Sequence, residues 1–176
     1  YNSTSSNATN GVLTINTASA GRPILINNSS IATALQLNGV FNGAGVVGGN
    51  FNYVQIGSTG HIGTIILNAA SSDVINFWNP TFILNNVATG SANAASPITI
   101  NGTINANYSG SWNVPYTNPL TSTTQSVDLA LVSNGGISLA GRVNTTSGIY
   151  VNGSILVTGS NVGLYATDAT NGNIWI

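Results

Sequence analysis

The chain has 176 residues, a formal net charge of −1, two Arg, no Lys and no Cys, and 3% of its residues are charged. Ordinary domains carry roughly 25% charged residues. Two arginines cannot form the basic patch that nucleic-acid binding requires, the absence of Cys excludes disulfides and thiolate sites, and no apolar run is long enough for a membrane span in the mature chain. Surface polarity must come from Asn, Ser, Thr and Gly, which suits an extracellular protein without a cofactor.

Short runs with alternating apolar and polar residues, rich in Val, Ile, Thr and aromatics, predict β-strands along the whole chain. No window predicts a helix, because Glu, Lys and Met are absent and β-branched residues crowd the apolar runs. Seven Asn-Gly pairs favour tight hairpin turns. The strands are expected at 11–16, 22–27, 34–41, 51–56, 62–67, 73–77, 81–84, 97–105, 126–133, 136–143, 148–158, 162–166 and 173–176.

These signals predict an all-β fold, specifically an incomplete immunoglobulin-like or pilin-like β-sandwich, with a right-handed β-solenoid as the alternative. A weak internal pattern, apolar-x-apolar-small-Gly-x-apolar, occurs at 35–41, 98–104 and 137–143, with a looser copy at 149–155. Because its spacing is irregular and a solenoid should repeat at a fixed period, we interpret the copies as similar hairpins.

The first 21 residues differ from the rest. Residues 1–10 are dominated by Asn, Ser, Thr and Ala, the apolar strand Val12, Leu13, Thr14 and Ile15 follows, and the small residues at 17–21 resemble a hinge. We therefore predict an arm with a donor strand at 1–21 and a β-sandwich domain at 22–176. The donor strand would place Leu13 and Ile15 in a groove of another copy. The alternative is a first strand of the same domain with a frayed end.

The ionisable residues are too dispersed to predict an enzyme. His61 is the single histidine, and Asp73, Asp128 and Asp168 are distant in sequence, so neither a catalytic triad, a carboxylate pair nor a metal cluster is indicated. Asp73 is expected to cap a turn. Asp128 lies within an apolar strand and is expected to pair with one of the two arginines, since an isolated buried carboxylate is costly.

Eight Asn-x-Ser/Thr sequons are candidate N-glycosylation sites. Chance alone would give nearly as many in a chain so rich in Asn, Ser and Thr, so their location matters more than their number. Several fall in the arm or at predicted turns, where a glycan would face solvent. The candidates are Asn2, Asn7, Asn27, Asn28, Asn101, Asn107, Asn144 and Asn152.

The polar arm at 1–10, the strand at 11–16, the sequons and the near-absence of charge together resemble the subunit of an archaeal thread, a glycosylated surface filament. The resemblance is one of overall character. It implies subunits similar in shape to type I pilins, which polymerise head to tail because the N-terminal strand of each completes the sheet of the next. The partners would be other copies of the chain and covalent N-glycans.

Two functions remain open at the level of sequence. The first is a structural subunit of an extracellular filament with a role in adhesion, cell–cell contact or biofilm. The second is a secreted carbohydrate-binding or haemagglutinin-like adhesin module. A filament subunit of the donor-strand type needs its N-terminal strand away from its own core, whereas an adhesin module folds complete.

Overall fold

The computed structural model describes residues 11–38, 51–70, 72–77, 79–87, 97–106, 114–122, 124–145, 148–158, 162–166 and 173–176. The protein is all-β, as the alternation of apolar residues predicted, and these ranges contain no helix. They accordingly include no helical segment that could cross a membrane.

The strands are numbered in chain order. They are β1 Gly11–Ile15, β2 Ile24–Ile26, β3 Leu35–Leu37, β4 Phe51–Gly57, β5 Ile65–Leu67, β6 Val74–Asn76, β7 Thr81–Asn85, β8 Ile98–Ile100, β9 Thr103–Ala106, β10 Val114–Thr117, β11 Thr124–Val127, β12 Leu129–Leu139, β13 Arg142–Thr145, β14 Gly148–Val157, β15 Gly163–Ala166 and β16 Asn173–Trp175.

Apart from the antiparallel pair β10–β11, the described strands pair in parallel. The largest sheet has two wings, which are joined along the long strands β12 and β14. The first half of each of these strands belongs to wing A and the second half to wing B. Wing A runs β1, β4, β7, β12, β14, β16. Wing B runs β3, β2, β5, β8, β12, β14. A four-stranded sheet, β6, β9, β13, β15, stands apart.

The chain visits these sheets in a constant order. It passes from wing A to wing B to the four-stranded sheet in β4–β5–β6, again in β7–β8–β9, and again through β12–β13 and β14–β15. Each pass stacks on the previous one in parallel, and the sheets curl into a half-barrel.

The main core consists of apolar side chains stacked in register along the wings. Alternate residues of each strand face inward, so one inward position is repeated from strand to strand. In wing B one such row passes through Leu35, Ile24, Ile65, Ile98, Ile137 and Ile155. The four inner members of this row are fully buried or nearly so, whereas Leu35 and Ile155 at its ends are partly exposed.

A second, smaller core lies on the other face of wing A. Phe82, Ala130 and Tyr150 occupy neighbouring strands there and are buried with Val127, from the end of β11. Asn118, in the turn between β10 and β11, is fully buried and donates to the Tyr150 hydroxyl at 3.0 Å. The β10–β11 hairpin is therefore fastened across the outer face of the wing.

The hairpin interpretation of the internal pattern is wrong. The copies at 98–104 and 137–143 lie on the same corner of two successive passes, where Ile98 pairs in parallel with Ile137 and Ile104 pairs in parallel with Val143. The irregular spacing arises because connections of different length, including the β10–β11 hairpin, separate equivalent corners. The parallel, curled sheets do not form a recognisable immunoglobulin-like sandwich.

The strand predicted as a donor has a partner within its own chain. Residues 11–15 do form a strand, but it pairs in parallel with β4 of its own chain, with Leu13 opposite Val54 and Ile15 opposite Ile56. The segment at 17–21 does not lead away from the domain. Ala20 accepts hydrogen bonds from the backbone of Ile62 and Gly63, each at 2.9 Å. The alternative of a first strand of the same domain describes this arrangement.

Candidate functional site: asparagine clusters and uncharged strand edges

A buried asparagine at the end of β5 organises one corner of the fold. Asn68 is fully buried and has a left-handed backbone with φ of 66°. Its Nδ2 lies 3.2 Å from the Thr103 carbonyl and 3.4 Å from that of Asp73. Its Oδ1 accepts from Asn27 Nδ2 at 3.1 Å. Through its side chain and its carbonyl, Asn68 ties together three strand connections, β2–β3, β5–β6 and β8–β9.

Two more sequon asparagines reach the same residue. Asn28 Nδ2 and Asn101 Nδ2 each donate to the Asn68 carbonyl at 3.0 Å. The Asn27–Asn28 pair and Asn101 are far apart in sequence, but they occupy equivalent corners of the two passes on either side of Asn68. We refer to them, with Asn68, as the Asn68 cluster.

A second row of asparagines follows the outer face of the four-stranded sheet. Asn144 Nδ2 donates to Asn105 Oδ1 at 2.9 Å, and Asn105 Nδ2 donates to Asn76 Oδ1 at 3.0 Å. The next residue in register is the exposed Tyr165, over whose ring the guanidinium of Arg142 lies 4.3 Å from the centroid. Such a row stabilises parallel stacking because the amides of Asn144 and Asn105 each donate to the strand beside them.

These contacts bear directly on the sequons. Asn144 and Asn152 lie within β13 and β14, not at hairpin turns. Asn152 Nδ2 donates to the Ser133 carbonyl at 3.4 Å. In each described sequon the nitrogen that would carry a glycan is thus already a hydrogen-bond donor, and Asn28 is also buried. Asn2, Asn7 and Asn107 lie outside the described residues.

His61 lies in the loop before β5 and is fully buried. Its Nδ1 is 3.5 Å from the Thr17 hydroxyl, and its Nε2 has no hydrogen-bond partner among the described residues. Burial lowers the pKa of His61 below the ordinary value of 6.5, and the polar backbone of the nearby Gly63 opposes this effect in part. A neutral, enclosed imidazole fits a structural role in the core.

The other ionisable side chains lie on separate elements. Asp73 Oδ2 accepts from the backbone N–H groups of Ala69 and Ala70, each at 2.9 Å, which confirms its predicted turn-capping role. Arg22 Nε donates to the Thr33 carbonyl at 2.6 Å. Asp128 is buried between β11 and β12. Asp168 lies outside the described residues, and the described part of the chain holds no group of three metal-binding side chains.

The outermost strands expose apolar side chains. At one end of the stack Leu156, Val157 and Ile174 are 57%, 53% and 42% exposed. At the other end Val12 is 44% exposed, and Leu35 and Leu37 are partly exposed. In the described ranges β1, β3, β15 and β16 each have one strand partner, and none of the four carries a charged residue. We call the β1/β3 side the leading edge and the β14/β16 side the trailing edge.

No protein-family model, curated protein or solved structure matches this chain.

The sequence analysis missed both the Asn68 cluster and the strand edges. Asn68 belongs to no sequon, and the signal that could have indicated it is its position directly after an apolar run, equivalent to Asn101 and Asn27. The edges could not be recognised before the order of the strands was known.

Proposed function

We propose that the chain is a non-enzymatic, extracellular β-solenoid module of a cell-surface adhesin. The observation that carries this proposal is the set of parallel, in-register ladders stacked around the main apolar core, with β1 as a member of its own sheet. We propose a right-handed solenoid because the connections between parallel strands of one sheet are right-handed in nearly all proteins. A rigid stack with an uncharged, amide-rich surface suits a projecting structural element.

The structural contacts of the ionisable residues support the non-enzymatic part of the proposal. The buried imidazole of His61, the turn-capping carboxylate of Asp73 and the stacked guanidinium of Arg142 lie on different elements. A catalytic constellation needs such groups within mutual reach.

The adhesin proposal is tested by localisation and by binding. Antibodies against the chain should label intact, unpermeabilised source cells, and beads coated with the purified chain should bind those cells or their extracted surface polysaccharides. Beads coated with heat-denatured chain provide the matched control. Labelling that requires permeabilisation, or equal binding by both kinds of bead, would contradict the proposal.

A subunit of an extracellular filament, as in archaeal threads, is the second candidate. The uncharged leading and trailing edges favour it, because exposed strand edges are usually protected by charges or proline. Since β1 pairs within its own chain, such a filament would not need to exchange this strand. Any glycans would be expected in the arm, at Asn2 or Asn7.

A further inference from the structure

We propose that copies of this chain stack end to end, with the leading edge of one copy continuing both wings beyond the trailing edge of another. The β1 strand of the second copy would lie beside β16, and its β3 strand beside the second half of β14. Each strand would stay paired in its own chain. This interface goes beyond the adhesin proposal and does not depend on it.

The trailing edge exposes positions that are core positions elsewhere in the stack. One inward row of wing A passes through Leu13, Val54, Thr81, Leu129, Ile149 and Ile174. The four inner members are buried, yet Ile174 is 42% exposed. In wing B the row that ends at Val157 contains the buried Ile26, Leu67, Ile100 and Leu139. Stacked folds normally end in a polar cap.

The apolar rows of the two edges also match in register. Continuation of the wing A rows places Leu13 of the second copy beside Ile174. Continuation of the wing B rows places Leu35 beside Ile155 and Leu37 beside Val157. Apolar inward residues would therefore meet apolar inward residues on both wings.

Both wings also require the same displacement of the second copy along the stack. Wing A consists of six strands, counted from β1 to β16 inclusive, and wing B also consists of six, counted from β3 to the second half of β14. Wing B starts at β3, one strand spacing before the pass that contains β1. It ends at the second half of β14, one strand spacing before β16. A single shift by six strand spacings therefore satisfies both edges, whereas unequal wings would leave one of them unpaired.

The chemistry of the edges favours a second copy as the occupant. Neither edge carries a charge or a proline within its described strands, so the usual obstacles to edge pairing are absent. The contact joins two different surfaces and does not close on itself, so it propagates. At about 4.8 Å per strand, six strands give an axial repeat of about 29 Å.

The assembly test uses the purified chain 1–176 and substitutions at the trailing edge. Val157→Lys with Ile174→Lys would place two ammonium groups between the wings. Ile62→Lys is the matched control because Ile62 is 46% exposed and lies in the loop between β4 and β5, outside the strands of both edges. The wild type and I62K should form rods with a repeat of about 29 Å. The double variant should stay monomeric at concentrations roughly 100-fold higher. Unchanged circular dichroism shows that the double variant is folded.

A cysteine pair tests the register. The chain has no native Cys, and the wing A register places Val12 of the second copy beside Asn173. Neighbouring strands about 4.8 Å apart allow a disulfide. Val12→Cys with Asn173→Cys should give a ladder of oxidised oligomers on a non-reducing gel. The control pair, Ile62→Cys with Asn173→Cys, should give no ladder.

Three results would overturn this interface. The first is a wild-type chain that stays monomeric at all concentrations, as expected if further coils of a longer chain cover the trailing edge. The other two are equal cross-linking of both cysteine pairs and rods with a different axial repeat. Failure of cell binding would instead overturn the adhesin proposal and leave this interface intact.

Discussion

At the scale of single residues, the fold depends on buried polar side chains, and nearly all of those in the described residues form hydrogen bonds. Asn68 engages partners from other passes through its amide and its carbonyl. His61 is enclosed with one ring nitrogen near Thr17. Buried polar groups are stabilising only while their partners are present, since an orphaned one costs about 1–3 kcal/mol. The clearest effects of point substitutions are therefore expected at these two residues.

Asn68→Ala should lower the free energy of unfolding by about 2–4 kcal/mol, because it orphans buried partners and places a less tolerant residue at a left-handed backbone. Urea denaturation measures the change. Asn16→Ala is the matched control, since Asn16 is exposed and makes one side-chain hydrogen bond, to Ser58. It should change stability by less than about 0.5 kcal/mol. Equal losses in the two variants would contradict the role assigned to Asn68.

His61 should make the fold sensitive to acid. Its pKa in the unfolded chain lies near 6.5 and is lowered in the folded protein. As the pH falls below 6.5, the unfolded chain takes up a proton before the folded one does, so stability falls. Above that pH both states are neutral and the effect vanishes. Between pH 7.5 and pH 5 the melting temperature of the wild type should drop more than that of His61→Gln, and parallel drops would exclude this titration.

At the scale of elements, the corners decide where each strand ends. Gly102 and Gly141 occupy the same corner of successive passes, between β8 and β9 and between β12 and β13. A methyl group on Gly141 would collide with the backbone of Gly102, and one on Gly102 would collide with the Asp73 carbonyl. The small-Gly step of the internal pattern is therefore a packing requirement of stacked corners, not a hairpin turn.

Gly141→Ala should destabilise the protein by roughly 2–4 kcal/mol, since the atoms that an added methyl group would meet are the backbone of Gly102, which cannot move aside as a flexible side chain could. Gly21→Ala is the control, because no atom lies within 4 Å of a Cβ at that position. It should leave the melting temperature almost unchanged. A tolerated Gly141→Ala would show that the two corners are not in contact.

At the scale of the whole molecule, stability should decrease from the middle of the stack toward its edges. Ile98 is fully buried in the centre of the long wing B row, whereas Ile155 ends that row and is partly exposed. Ile98→Ala should cost about 2–5 kcal/mol, and Ile155→Ala markedly less. Urea denaturation of monomeric protein, in the V157K, I174K background, makes the comparison independent of assembly. Equal costs would contradict a core that is open at the trailing edge.

The positions of the strands could be predicted from the sequence. Alternation and β-branched residues depend on local chemistry, so β1, β4, β7 and β15 lie close to their predicted ranges, and the absence of helix from the described residues follows from the same composition. Errors occurred where local signals are ambiguous. The range predicted as one strand at 97–105 is two strands with a corner at Gly102, and β12 spans two predicted strands.

The direction of pairing was decided by the tertiary structure alone. An apolar residue at every second position buries one face equally well in a parallel or an antiparallel sheet, and Asn-Gly suits a stacked corner as well as a hairpin. For the same reason the sequence determined that Leu13 and Ile15 share an apolar face but not which strand covers it. Only the stacking of distant passes places β1 beside β4, brings Asn27, Asn28 and Asn101 to Asn68, and leaves two uncharged edges at opposite ends, because these contacts join residues that no local pattern connects.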